Sequence, residues 1–269
     1  MSNLRRALCL ILTIAIFWST SLAFDTGSHF DLTRAVLAEH GFTDDAIKAV
    51  QIENWLTDYY SSAPTVTQSR RDEFAKLHCD NLFTTLEVKN YWAWLLNNLK
   101  SEMQDAARKD DMLAALTVLG IGLHSVQDFY AHSNWVETHP RLADGSYRTE
   151  TYFHSIGSPP ALFSGKYPND RTLGPDSEPL PAGASSHGDY DTGINHDSLI
   201  RPRWDEAYVF AYAASHEMVD ALAKWADEAR PGFWTRVQET SVDKDGRKKL
   251  DYDIAALRSM SMWLNGKGA

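Results

Sequence analysis

The sequence predicts an all-α protein, a multi-helix bundle around a metal cluster with one long irregular insertion, on three observations. Apolar residues recur at helical spacing through most of the chain. Histidine and aspartate occupy positions i, i+4 and i+8 of one such segment, which places them on a single helix face. Between Thr138 and Trp204 the periodicity stops, and eight of the ten prolines lie there. A chain of 269 residues with 43% hydrophobic content can bury a sizeable core.

The first residues are typical of a secretory signal. Arg5 and Arg6 form a basic start, Ala7 to Trp18 is apolar, and Ser21 to Ala23 is a small-x-small cleavage site. We expect residues 1–23 to be removed and residues 24–269 to form one secreted or periplasmic domain. A retained N-terminal anchor is the alternative, although the apolar run is short for a membrane span.

Charge and cysteine content narrow the function classes. The formal net charge is −10, and removal of Arg5 and Arg6 would make it more negative. This disfavours proteins that bind many phosphates through clustered basic residues, but it leaves metal-centred phosphodiesterases open. Cys79 is the one cysteine after residue 23, so no intrachain disulfide is expected, and a buried apolar role is favoured for it.

Helices are predicted in order along the chain. The predicted segments are one ending at Gly41, one from Thr43 or Asp44 towards Asp58, Leu86–Ala107, a central helix from Asp110–Asp111 to near Glu137, Asp205–Arg230, and one or two packing helices towards Trp263. No glycine-rich phosphate loop and no Gly-x-Ser-x-Gly elbow is present, which disfavours ordinary nucleotide binding and serine hydrolysis.

The central helix carries the row of His124, Asp128 and His132. Apolar neighbours such as Val126 and Phe129 would bury this row, and buried imidazole and carboxylate groups are costly unless they are compensated. A shared cation would remove the cost. The alternative is a helix whose histidines are satisfied by hydrogen bonds, so the metal hypothesis depends on ligands from elsewhere in the chain.

Further candidate ligands lie on other segments. A chain cleaved after Ala23 would present the Phe24 amine five residues before His29. Asp58 ends an apolar helical pattern, where its carboxylate opposes the helix dipole and requires a partner, either solvent, an arginine or a metal. The full candidate metal set is Phe24, His29, Asp58, His78, His124, Asp128, His132, His216 and Asp220.

The insertion between Thr138 and Trp204 adds other candidates. Its histidines His139, His154, His187 and His196 are favoured as solvated loop residues, although the run Ser186–Asp191 could bind calcium or zinc. Its aromatic residues would either touch a membrane surface or anchor the loop; they are Tyr152, Phe153, Phe163 and Tyr167.

This ordered pattern resembles the secreted trizinc phosphodiesterase superfamily of zinc-dependent phospholipases C and single-strand nucleases. The motif Leu-His-Ser-Val-Gln-Asp-Phe-Tyr-Ala-His-Ser-Asn-Trp, residues 123–135, is most similar to the fungal heterokaryon-incompatibility C branch. The resemblance covers roughly Phe24 to Trp225 in short motifs. It implies an all-helical fold and up to three zinc ions.

The resemblance also implies a ligand assignment. One zinc would take Asp58, His78, His124 and Asp128; a second Phe24 and His29 with bridging Asp128; and a third His132, His216 and Asp220. The third set departs from the better-known enzymes in the spacing around His132, so His154, His187 or His196 are alternatives to His216.

The expected chemistry is phosphodiester hydrolysis, with zinc-bound hydroxide attacking phosphorus in line. The resemblance makes Asp58 the catalytic residue that orients or deprotonates the water. A phospholipase C-like activity, with transient contact to a membrane surface, is favoured over a nuclease because the chain is acidic. The alternatives are a single-strand nuclease-like phosphodiesterase and a non-catalytic, zinc-stabilised interaction protein.

Overall fold

Helices make up most of the chain that the computed structural model describes, which is residues 26–62, 76–154, 161–166, 185–186 and 193–242. The helices are α1 (Thr26–Glu39), α2 (Asp44–Ser62), α3 (Thr85–Lys109), α4 (Met112–His132), α5 (Trp135–Thr138), α6 (Trp204–Ala229) and α7 (Phe233–Gln238). Two short 3₁₀ turns, Lys76–His78 and Tyr152–His154, complete the described elements. The predicted all-α class is confirmed.

Local sequence signals set the ends of the long helices. The Thr84 side chain accepts a hydrogen bond from the Glu87 backbone N–H at the start of α3, and Asp111 accepts one from Ala114 at the start of α4. These caps satisfy backbone donors that the first helical turn leaves open. Gly41 follows α1 at a φ of 78°, the left-handed conformation that favours glycine after a helix.

The central helix α4 is the core of the bundle. It packs against α2, α3 and α6, and every residue from Ala115 to His132 is buried. By length and composition alone this helix could cross a membrane, but 78% of its apolar 18-residue stretch is buried inside the protein. Such burial is what the core helix of a bundle shows, and it fixes the histidine row in the interior.

A glycine lets α4 approach α2 closely. A Cβ atom at Gly120 would lie 2.6 Å from Glu53 Cβ, 2.9 Å from the Val50 carbonyl oxygen and 3.0 Å from the Asn54 nitrogen. Any side chain there would therefore clash with backbone atoms. The close packing brings Asp58, one turn before the end of α2, towards the ligand row of α4.

The central helix ends earlier than the sequence predicts. It stops at His132 rather than near Glu137, because Ser133 is extended (φ −101°, ψ 163°) and forms an antiparallel bridge with Ser164. The Asn134 side chain then donates to the Ala161 carbonyl and accepts from the Phe163 N–H. These long-range bonds to the loop replace the next turn of helix.

The described parts of the predicted insertion are irregular and are anchored by aromatic side chains. Tyr152 stacks on Trp92 of α3 with ring centroids 4.9 Å apart, and Phe153 packs edge-on against the same indole at 5.1 Å. Of the two roles open to these aromatics, the structure therefore gives Tyr152 and Phe153 that of loop anchors. Tyr167 lies outside the described residues.

Candidate metal centre

Five of the predicted ligands meet in the interior of the bundle. His29 comes from α1, Asp58 from α2, His78 from the 3₁₀ turn, and His124 and Asp128 from α4. All five side chains are buried. Two overlapping groups of them could hold a metal ion: His29, His124 and Asp128, and Asp58, His78 and His124.

Four donor atoms form a compact set. The His124 Nε2 atom lies 3.1 Å from His78 Nδ1 and 3.0 Å from Asp128 Oδ2, and these last two atoms are 2.8 Å apart. Asp58 Oδ1 lies 3.7 Å from His78 Nδ1 and 3.8 Å from His124 Nε2. Tetrahedral zinc with bonds of about 2.0–2.2 Å separates its ligand atoms by about 3.3–3.6 Å. The measured separations bracket that range, so Asp58, His78 and His124 could hold one ion, with Asp128 in contact with both histidines.

Each oxygen of the Asp128 carboxylate faces histidine nitrogens. While its Oδ2 atom contacts His78 and His124, its Oδ1 atom lies 3.1 Å from His29 Nε2. The His29 and His124 rings stack with centroids 4.5 Å apart. The two oxygens of Asp128 therefore contact different histidines, so this carboxylate could serve both of the groups that could hold a metal ion.

Two amide side chains decide which ring nitrogens face this centre. Asn54 Oδ1 lies 3.1 Å from His124 Nδ1, and Gln127 Oε1 lies 2.6 Å from His29 Nδ1. Asn54 Nδ2 also donates to Gln127 Oε1, which fixes the orientation of both amides. Because an amide oxygen only accepts, each Nδ1 must carry hydrogen, and each Nε2 then faces the carboxylate of Asp128. The positive charge that the carboxylate meets there is either a proton on Nε2, as the raised pKa of His29 favours, or a metal ion held by an Nε2 lone pair.

Burial perturbs the ionisation of the same groups. It lowers the pKa of His124 to about 3 and raises the pKa of Asp58 to about 7. Burial would also raise the pKa of Asp128, but the nearby His124 and His29 hold it well below its usual value. Burial would lower the pKa of His29, but the charge and hydrogen bond of Asp128, together with Asp58 and Gln127, raise it above its ordinary value. A site that mixes neutral imidazole with carboxylate in a dry interior suits a divalent cation.

The turn that delivers His78 is unusually tight. Cys79, the residue after His78, has a φ of 58°, and Asn81, three residues after His78, has a φ of 62°. This left-handed conformation costs non-glycine residues about 1–2 kcal/mol. The Cys79 thiol is buried and donates to the Ser125 carbonyl oxygen. It does not join the donor set, so the centre offers only nitrogen and oxygen ligands, as catalytic zinc sites commonly do.

His132 lies in a neighbouring buried group of its own. Its Nδ1 atom is 2.8 Å from the His78 carbonyl oxygen and 3.2 Å from Asp80 Oδ1, while its Nε2 atom is 2.8 Å from Asp197 Oδ1. The two carboxylates occupy opposite edges of one imidazole, so this arrangement holds the ring and the turn that carries His78. Sequence reasoning missed Asp80 and Asp197; the only available signal was that Asp80 follows the candidate ligand His78 by two residues.

His216 and Asp220 lie elsewhere. They join His40 and Glu39 at the C-terminal end of α1, where His216 Nδ1 is 2.9 Å from His40 Nε2. His40 follows His29 by 11 residues, which corresponds to about 16 Å along a helix. The structure therefore does not bring His132 together with His216 and Asp220, because His132 pairs with Asp80 and Asp197 while His216 and Asp220 face the end of the α1 segment.

The remaining candidates are not part of the described centre. His196 bonds to the Pro202 carbonyl oxygen and to Glu137, so it does not replace His216. Phe24, the proposed cleavage site and His187 lie outside the described residues, as does the side chain of His154. The predictions made for these four features remain predictions.

Comparison with known proteins adds one finding. A family model described as the VWA7 N-terminal domain matches residues 41–144, which is less than half of the chain. The matched segment runs from the start of α2 past the end of α4 and contains Asp58, His78, His124 and Asp128. No curated protein and no solved structure matches the chain.

Proposed function

We propose that this chain is a secreted, zinc-dependent phosphodiester hydrolase of the phospholipase C type. The observation that supports this proposal most strongly is the Asp128 carboxylate, which is buried between two sets of histidine nitrogens. A carboxylate that bridges two positions is typical of multi-metal hydrolytic sites. The predicted resemblance to trizinc phosphodiesterases rests on the same residues.

Different residues of the chain would bind the zinc ions and handle the attacking water. By the resemblance, Asp58, His78, His124 and Asp128 would hold one zinc, and His29 with Asp128 a second, together with the Phe24 amine if the chain is cleaved after Ala23. Zinc bound there would make a water molecule acidic enough to deprotonate near pH 7 and would stabilise charge on the phosphoryl oxygens. We assign to Asp58 the role of orienting that water and accepting its proton, since its carboxylate lies at the edge of the donor set.

The substrate class follows from charge. Nucleases need basic surface to hold a polyanion, whereas this chain has 36 acidic and 26 basic residues. A phospholipid with a zwitterionic head group places a single phosphodiester at the site without that requirement. We therefore place a phospholipid ahead of nucleic acid as substrate.

The depth of the site favours a second candidate, a non-catalytic protein stabilised by zinc. His124 and Asp128 have no exposed surface, and Asp58 is only 1% exposed. Structural zinc sites are closed to solvent, whereas catalytic sites keep an open position. The matching family model carries a description that names a domain and no activity.

Zinc content and hydrolysis, measured on the same protein, separate these candidates. The full chain would be assayed for release of phosphocholine from phosphatidylcholine and for cleavage of single-stranded DNA, before and after chelation and after return of zinc. His124→Ala should remove both zinc and turnover. Asp58→Asn keeps the side-chain size and should reduce turnover by about 10²- to 10⁴-fold, while Asp105→Asn, at an exposed carboxylate paired with Lys109, is the control.

Two results would redirect the proposal. DNA cleavage without lipid hydrolysis would move the chain to the nuclease-like alternative. A protein that binds zinc and loses stability on chelation, but hydrolyses neither substrate at any metal content, would show that the centre is structural.

A further inference from the structure

A pair of histidines joins α1 to α6 at the surface, separate from the buried centre. His40 Nε2 and His216 Nδ1 are 2.9 Å apart, and both rings are partly exposed. His40 directly follows α1, and His216 lies in the middle of α6. The two segments are far apart in sequence, so only the fold creates this pair.

The outer nitrogen of each ring faces a carboxylate. His40 Nδ1 lies 3.8 Å from Asp220 Oδ1, and His216 Nε2 lies 3.4 Å from Glu39 Oε2. Glu39 is itself held by the Tyr212 hydroxyl, which donates to its other oxygen at 2.6 Å. Carboxylates at these positions favour the tautomers that carry hydrogen on the outer nitrogens.

Those tautomers leave two inner lone pairs facing each other at 2.9 Å. Two lone pairs at that distance repel, so either one ring turns an inner N–H towards the other or a cation lies between them. The cation is either a proton shared by the rings or a metal ion. Metal-binding histidines commonly donate their other ring N–H to a carboxylate, and here a carboxylate oxygen lies 3.4 Å from His216 Nε2 and another 3.8 Å from His40 Nδ1.

We propose that His40 Nε2 and His216 Nδ1 bind a divalent transition-metal ion such as zinc at this surface position. Glu39 and Asp220 orient the two rings, and water fills the remaining coordination positions because the site is partly exposed. Neutral imidazole nitrogens are good ligands for zinc, nickel and copper and poor ones for calcium or magnesium. The bound ion would tie the C-terminal end of α1, the helix that carries His29, to α6.

Equilibrium dialysis of the full chain against graded free zinc at pH 7.5 tests this proposal, with bound zinc counted per chain. We expect His40→Ala and His216→Ala each to lose one zinc relative to wild type and to retain the zinc of the buried centre. Glu39→Gln should keep the site but weaken its zinc affinity by about 10- to 100-fold. Glu228→Gln is the matched control, because this carboxylate lies on α6 twelve residues after His216. It should leave the number of bound zinc ions and their affinity unchanged.

A second measurement identifies the ligands directly. Copper added to zinc-loaded wild type should give an electron paramagnetic resonance spectrum with nitrogen hyperfine structure, and this signal should vanish in His40→Ala. Equal zinc content in wild type, His40→Ala and His216→Ala would overturn the proposal and leave the two rings as a hydrogen-bonded pair. A loss of zinc affinity in Glu228→Gln as large as that in Glu39→Gln would also overturn the proposal, since zinc binding would then depend on general acidic charge.

Discussion

Substitution of Gly120 by alanine tests whether the close approach of α2 and α4 builds the buried centre. The added Cβ would lie 2.9 Å from the Val50 carbonyl oxygen and 3.0 Å from the Asn54 nitrogen, as well as 2.6 Å from Glu53 Cβ. Two of these three neighbours are backbone atoms, which cannot rotate away. The two helices must therefore separate by several tenths of an ångström.

The size of the effect follows from two opposing contributions. Overpacking of a tight interior site costs up to about 3 kcal/mol, and replacing glycine by alanine within a helix recovers about 1 kcal/mol. We expect Gly120→Ala to lower the free energy of unfolding by about 2 kcal/mol, which corresponds to a fall in Tm of about 4–8 °C for a domain of this size. Zinc affinity should fall with it, because α2 carries Asn54 and Asp58 while α4 carries His124 and Asp128.

Gly122→Ala is the matched control, two residues further along the same helix. The three atoms nearest to its Cβ would all belong to the side chain of Leu99, with Cδ2 at 2.9 Å, and the ends of a leucine can rotate. Urea unfolding of both variants at fixed free zinc, with zinc affinity from competition against a chelator, would compare them. Gly120→Ala that is as stable as Gly122→Ala, or that binds zinc as tightly as wild type, would refute the reasoning.

Three further predictions concern the site and its supports. Asn54→Ala removes the acceptor that fixes the His124 tautomer, so zinc affinity should fall by about 10- to 100-fold; an unchanged affinity in chelator competition would contradict this. Chelation of zinc present at 100 times its Kd should remove about 2.7 kcal/mol per site, or about 5–10 °C of Tm, and a calorimetric scan that shows no shift would exclude tight zinc binding. Burial alone would lower the pKa of His132, but Asp197 and Asp80 raise it well above its ordinary value. The stability that protonated His132 gains from these carboxylates is thus fully present below pH 6.5 and is lost as pH rises through the raised pKa. The stability difference between wild type and Asp197→Asn, measured by urea unfolding from pH 6 to 9.5, should shrink as pH rises, and a difference that grows would have the wrong sign.

The helices could be predicted from the sequence because their signals are local. Apolar spacing marked each long segment, and short-range caps such as Thr84 and Asp111 fixed where α3 and α4 begin. The end of α4 was missed because Ser133 leaves the helix to pair with Ser164, 31 residues away, and no local signal encodes that bond. The same limit applies to Tyr152, whose stacking on Trp92 decided that it anchors the loop.

For the candidate centre, the sequence by itself determined that His124 and Asp128 share one helix face, since their i, i+4 spacing places both there whatever the surroundings. Only the tertiary structure decided which other side chains lie beside them. Convergence of His29, Asp58 and His78 on Asp128 depends on three other segments packing against α4, and the same packing carries His216 to His40 instead of His132. Helix periodicity fixes direction around one axis, whereas the distance between donors on different helices is set by how closely the helices pack, as at Gly120.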